Sequence, residues 1–135
     1  MGYCIELIEK NFKIKKENAK NVVDALRNFA LNFTNKYNNR IMWVDKQSLI
    51  DSQTIEESFE EIRYPLTEDK NGDYVIDYFS GEKLGDDDQI FNAIAKYVEP
   101  NSFITFKGED GDVFQFVFDG ERCKYKWLYN VNEED

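Results

Sequence analysis

Between Phe103 and Trp127 the chain alternates apolar and polar residues through three short runs divided by glycine-bearing loops, FITFKGEDGDVFQFVFDGERCKYKW. A period of two suits extended strands, because successive side chains leave a strand on opposite faces. Parity then fixes the first loop. A three-residue loop with Gly111 left-handed pairs Phe106 with Phe114 and Ile104 with Phe116, whereas a four-residue loop would mix apolar and polar residues on both faces. Asp119-Gly120 reads as a two-residue hairpin loop that sets Phe118 opposite Glu121, Phe116 opposite Cys123 and Phe114 opposite Tyr125. One face of this three-stranded meander then carries Ile104, Phe106, Phe114, Phe116, Phe118, Cys123, Tyr125 and Trp127. The other carries Thr105, Lys107, Gln115, Arg122, Lys124 and Lys126, with Phe103, Val113 and Val117 among them.

Such a face needs a cover, and the upstream sequence supplies helices. Ala19, Val22, Val23, Leu26, Phe29, Ala30 and Phe33 recur at helical spacing. Thr54-Ile55-Glu56-Glu57 has the spacing of a capping box opening a helix with Ile55, Phe59 and Ile62 on one side, which Pro65 ends. A third helix is expected from about Gly85–Asp88 to Pro100. Strands are expected at Tyr3–Ile8, with a bulge near Glu9–Asn11 before Phe12 and Ile14, at Ile41–Val44, and at Tyr64–Thr67 and Tyr74–Phe79 around an Asn71-Gly72 type I′ turn. The expected fold is α+β: a mainly antiparallel sheet of about five or six strands with helices packed on one face. Residues 1–129 form the single domain and 130–135 a flexible acidic tail.

At 135 residues the chain is long enough to bury roughly two-thirds of its unfolded surface without metals or cross-links. No apolar run approaches the ~20 residues that span a bilayer. The start, MGYCIELIEK, lacks the basic and long apolar regions of a secretory signal, which points to a cytoplasmic protein. Cys4 and Cys123 are expected to be free thiols there. Histidine is absent, which removes the commonest general base and the commonest zinc ligand. No cofactor or metal motif is present. The Glu68–Asp73 stretch, EDKNGD, fails as a calcium loop because Tyr78 falls where a bidentate Glu is needed.

Charge is divided unevenly. Residues 1–50 hold nine Lys and Arg against five Asp and Glu, while residues 51–135 hold eight against 22. Most of this surface would repel nucleic acid and attract a basic protein, and no membrane partner is expected. The candidate contact residues are Glu56, Glu57 and Glu60 on the second predicted helix, Glu82 and Asp86-Asp87-Asp88 before the third, and Glu109 and Asp110 at the hairpin tip. Each has an ordinary role as well: helix surface, helix N-terminus or turn. Two other chemistries are expressed more weakly. Asp86–Asp88 offer the carboxylates of a metal-dependent hydrolase, and Lys10, Lys13, Lys15, Lys16 and Lys20 form a strip suited to phosphates. Trp43 and Trp127 are expected in the core.

The runs EKLGDD at 82–87, AIAKYVEPNSFI at 93–104 and GEDG at 108–111, with the aromatic strand to Asp119-Gly120, resemble a set of small uncharacterised proteins of bacteria and their phages. Glu61–Tyr64 matches an upstream Arg-aromatic step, and the likeness spans about residues 55–120. Phe114 or Phe116 stands where those proteins carry Trp. The resemblance implies a prokaryotic or phage setting, in which small acidic proteins act as inhibitors or immunity factors. The expectation is a non-enzymatic binder of a basic partner: a nuclease, a toxin or a CRISPR effector.

Overall fold

The computed structural model describes residues 3–34 and 40–133. Its larger antiparallel sheet has the order β1-β5-β6-β7, formed by Ile5–Asn11, Phe103–Gly108, Asp112–Phe118 and Cys123–Asn130. A smaller sheet has the order β2-β4-β3, from Lys13–Ile14, Tyr74–Ile76 and Leu66–Glu68. The helices are α1 (Ala19–Asn32), α2 (Lys46–Asp51), α3 (Ile55–Glu61) and α4 (Asp87–Ile94). The class is α+β as expected, with the strands divided between two sheets instead of gathered in one.

The division comes from β1. Its bulge falls at Ile8, where pairing with β5 jumps from Leu7–Phe106 to Glu9–Thr105. Phe12 then turns inward, buried, with its ring near those of Phe59 and Phe118. Lys13 and Ile14 continue against β4 in the second sheet. One inward aromatic thus binds both sheets and α3 to a common core.

Parity in the meander holds. Phe106 pairs with Phe114 and Ile104 with Phe116, and Gly111 closes the three-residue loop at φ 92°. The second hairpin differs. Asp119 N–H donates to Arg122 O, so the two-residue loop is Gly120-Glu121, and Phe118, Phe116 and Phe114 pair with Cys123, Tyr125 and Trp127. The register is two residues from the expected one, and a shift of two leaves every side chain on its face. Gly120, at φ 98°, takes the left-handed first loop position, which is the position that needs it.

Two local expectations are overturned. Ile41–Val44 is a turn, not a strand: Val44 N–H donates to Ile41 O and Trp43 has φ 67°. The β3–β4 loop is a three-residue one, since Gly72 N–H donates to Asp69 O and only Gly72 there has positive φ, whereas a type I′ turn needs two such residues. Asn130 is the last residue of β7, and beyond it Val131 N–H donates to Gly111 O and Glu133 N–H to Asn130 O. The α2 helix was not expected. Asp45 caps it, accepting from Gln47 and Ser48 N–H.

The core is aromatic. Phe106 is fully buried and lies within ring contact of Tyr64, Phe79, Phe114 and Phe116. Phe106→Ala is expected to cost about 3–5 kcal/mol, the range for removing a buried aromatic ring. Urea denaturation would show this as a lowered midpoint with little change in slope.

Candidate functional site: an acid-flanked tryptophan beside a strained cleft

The α3 helix ends in a Schellman turn. Tyr64 N–H donates to Phe59 O and Arg63 N–H to Glu60 O, with Arg63 left-handed at φ 79°. Glycine ordinarily fills that position, since a side chain there costs roughly 1–2 kcal/mol. Arg63 holds it because its side chain organises the next loop. Its guanidinium donates to Lys83 O at 2.6 Å and Asp87 Oδ1 at 2.7 Å, and lies over the Phe79 ring.

Asp87 is the hub of this network. It is 1 % exposed, and it also accepts from Tyr64 Oη and Gly85 N–H, each at 2.7 Å. Burial, then the Asp87 charge and its hydrogen bond, push the Tyr64 phenol well above its ordinary value. Tyr64 is therefore a neutral donor here. Asp87, expected on the surface, faces inward because it is the counter-charge of a buried arginine.

A second turn closes against this network. Trp43 occupies a left-handed third turn position that Gly or Asn usually fills. Its indole N–H reaches Leu84 O at 3.3 Å, and Met42 N–H donates to Asp86 Oδ2 at 2.8 Å. A Cβ at Gly85 would come within 2.8 Å of Met42 and Trp43, so the close approach requires glycine. Trp43 is nevertheless 55 % exposed, and Met42 is exposed with it. Trp43, Arg63, Gly81, Glu82 and Lys83 line a cleft of about 290 Å³. Of the three left-handed non-glycine residues described, Trp43, Arg63 and Asn101, two meet at this cleft.

The expected contact carboxylates fall into separate groups. Glu82 lines the cleft, and Asp86 sits under Met42. On the α2–α3 side, Glu61 is raised from its ordinary value by burial and by the charges of Asp45 and Glu60. Among the described residues none of Glu60, Glu61 and Glu82 forms an ion pair. Glu57 instead completes the capping box, accepting from Thr54 N–H at 3.1 Å. Glu56 faces another hollow with Lys20, Arg27 and Tyr74. Asp88 lies toward Cys123, whose thiol is pushed up to about 12 by burial first and by Asp88 next.

The hairpin-tip acids are engaged internally. Glu109 Oε1 accepts from Cys4 N–H at 2.7 Å, and the Tyr3 hydroxyl donates to Asp110, which also accepts from Asp112 N–H. These groups brace the turn. Their geometry is structural.

The weaker chemistries fare differently from one another. Among the described residues, no group of three or more Cys, Asp and Glu could hold a metal ion. In the lysine strip, Lys13 pairs with Asp69, Lys16 donates to Asn71 O, and Lys20 pairs with Asp24. No described helix is long and apolar enough to cross a membrane. No protein family, curated protein or solved structure matches the chain.

Sequence reasoning missed Trp43 because Ile-Met-Trp-Val has the composition of a strand. The available signal was Asp45 followed by Lys-Gln-Ser-Leu, a helix cap that demands a turn immediately before it.

Two outcomes follow from these bonds. Asp87→Ala leaves Arg63 buried without its counter-charge and is expected to cost about 3–5 kcal/mol, measurable by chemical denaturation. The second concerns acid. Asp110 is held below its ordinary range by the Tyr3 hydroxyl and then Asp112 N–H; Asp119 is held at about 2 by the N–H groups of Arg122 and then Glu121. Depressed carboxyls stabilise the fold fully above their unfolded value of about 3.9 and lose that contribution as pH falls through the folded value. Stability should decline between about pH 4 and about pH 2, and Asp119→Ala should make that acid limb shallower in a pH series of denaturation curves.

Proposed function

We propose that this protein is a stoichiometric, non-enzymatic binder of a basic protein surface, with Trp43 as its anchor. The observation that carries this reading is the combination at Trp43: a large aromatic held in a strained turn, over half exposed, with Glu82 on the adjoining cleft and Asp86 bonded to the turn. Its indole N–H is bonded to Leu84 O, yet more than half of the residue remains exposed. Strain retained at a surface site is a signature of function, and tryptophan is among the residues most enriched at the centres of interfaces.

The chemistry of the partner follows from the surroundings. Met42 and Trp43 supply an apolar projection. Glu82 lines the cleft beside Trp43, Asp86 accepts from Met42 N–H, and Asp45, whose charge also raises Glu61, follows two residues on in the chain. A complementary surface offers an apolar slot rimmed by Lys or Arg. Proteins that grip nucleic acid carry such rims, and the overall charge of −10 favours approach to them. The protein thereby acts as an inhibitor or neutraliser of a nucleic-acid-binding protein, of the anti-defence or nuclease-immunity kind. Lys83, also on the cleft, provides one cation that fixes orientation.

The test begins with the partner that co-purifies stoichiometrically from host cells. With that complex in hand, Trp43→Ala is expected to weaken binding by about 30-fold or more, the size of an interface hot spot. Glu60→Gln with Glu82→Gln should slow association while leaving dissociation nearly unchanged. An association rate that stays the same from about 0.05 to 0.5 M salt would overturn the electrostatic part of the proposal.

A further inference from the structure

Beside the Trp43 projection lies a space, and the indole forms one wall of it. The ring is held by one edge: Nε1–H reaches Leu84 O, and Cδ1 is the ring atom that a Cβ on Gly85 would meet. A ring fixed at one edge and 55 % exposed offers a face to whatever enters beside it. At about 290 Å³ the cleft sits at the lower end of ligand-pocket sizes, roughly 300–1,000 Å³. That is room for one long side chain and too little for a nucleotide.

Charge decides which side chain. Arg63 lines the cleft, but its guanidinium is engaged by Lys83 O and by Asp87, which neutralises it at 2.7 Å, and only 12 % of the side chain is exposed. What remains is Glu82 and Lys83 on the lining, with Asp86 bonded to Met42 N–H of the same turn. Among the described residues neither Glu82 nor Lys83 forms an ion pair. Two carboxylates thus stand against one cation. The indole tips the balance further, because the face of an aromatic ring is negative and attracts positive charge.

We propose that the cleft takes one arginine side chain of the basic partner, stacked on Trp43 with its guanidinium on Glu82. This rests on the reading of Trp43 as the anchor and adds the partner group that lies against it. Arginine suits the cleft better than lysine. Its planar guanidinium stacks on an aromatic face while its N–H groups, lying in that plane, remain free for a carboxylate. The ammonium of lysine is more strongly hydrated and loses more on leaving water. The contact is reciprocal, with Trp43 entering the partner as the arginine enters the cleft.

The probe is Nα-acetyl-arginine amide, titrated into the full chain carrying Trp127→Phe, which leaves Trp43 as the sole tryptophan. Saturable quenching of its fluorescence is expected. Nα-acetyl-citrulline amide, the same shape without the charge, should bind about fivefold more weakly or worse, and so should arginine amide on Glu82→Gln or on protein with trifluorinated tryptophan at position 43. No saturable response to arginine, equal binding of citrulline, tighter binding of the lysine amide, or an affinity indifferent to fluorination would each overturn the proposal. The two readings fail separately. If Trp43→Ala weakens the co-purified complex while arginine amide does not bind, the anchor stands and the occupant falls. If Trp43→Ala leaves the complex intact, the anchor falls and takes the partner arginine with it.

Discussion

Arg63, Asp87 and Tyr64 form the contact on which the candidate site rests. Three segments meet there: the end of α3, the loop through Lys83–Gly85, and the first turn of α4. Removing two charges from water is costly, and their mutual attraction offsets that only when geometry is good and the remaining groups are bonded. Both conditions hold for Asp87, which accepts three short hydrogen bonds. Arg63 is less complete, since its buried Nε has no partner. The network's value lies in specificity of arrangement. An apolar substitute could fill the space but would not dictate where Gly85 lies, and Gly85 is where the Trp43 turn rests.

Strain and order are distributed unequally as a result. The core around Phe12, Phe91, Phe106 and Phe118 is built from edge-on and tilted ring contacts that need no unusual backbone. The left-handed side-chain-bearing residues Trp43 and Arg63 sit together at one margin. A rigid aromatic base thus supports a surface turn that would be unfavourable in isolation. That separation, with stability in the sheet and conformational cost at the rim, is common where folds carry recognition sites.

How much was legible in the sequence depended on whether a local rule had a single outcome. Phe106 and Phe114 could be paired from parity alone, because only one loop length keeps the apolar set together. The Asp119-Gly120 turn was displaced by one position and the face assignment survived, since strand periodicity tolerates shifts of two. Thr54 and Glu57 were readable because a capping box is local. Asp87 was not, because its inward turn depends on an arginine 24 residues earlier in the chain and on a left-handed backbone that sequence gives no reason to expect of Arg. Trp43 and Trp127 failed for a related reason. Size and apolarity favour burial on average, but Trp43 lies on a strained turn, and Trp127 lies where α4, which reaches β7 at Cys123, no longer covers the sheet.

The Gly108–Gly111 tip carries a wider consequence. Tyr3 and Cys4 grip it from one side, and Asn130, Val131 and Asn132 from the other. The Tyr3–Asp110 bond joins residues 107 apart, so this clasp can close only after the intervening chain is in place. Glu109 and Asp110 are consequently exposed acceptors already spoken for: whatever peels the Tyr3–Cys4 segment away frees two carboxylates to take other donors at the far end of the sheet.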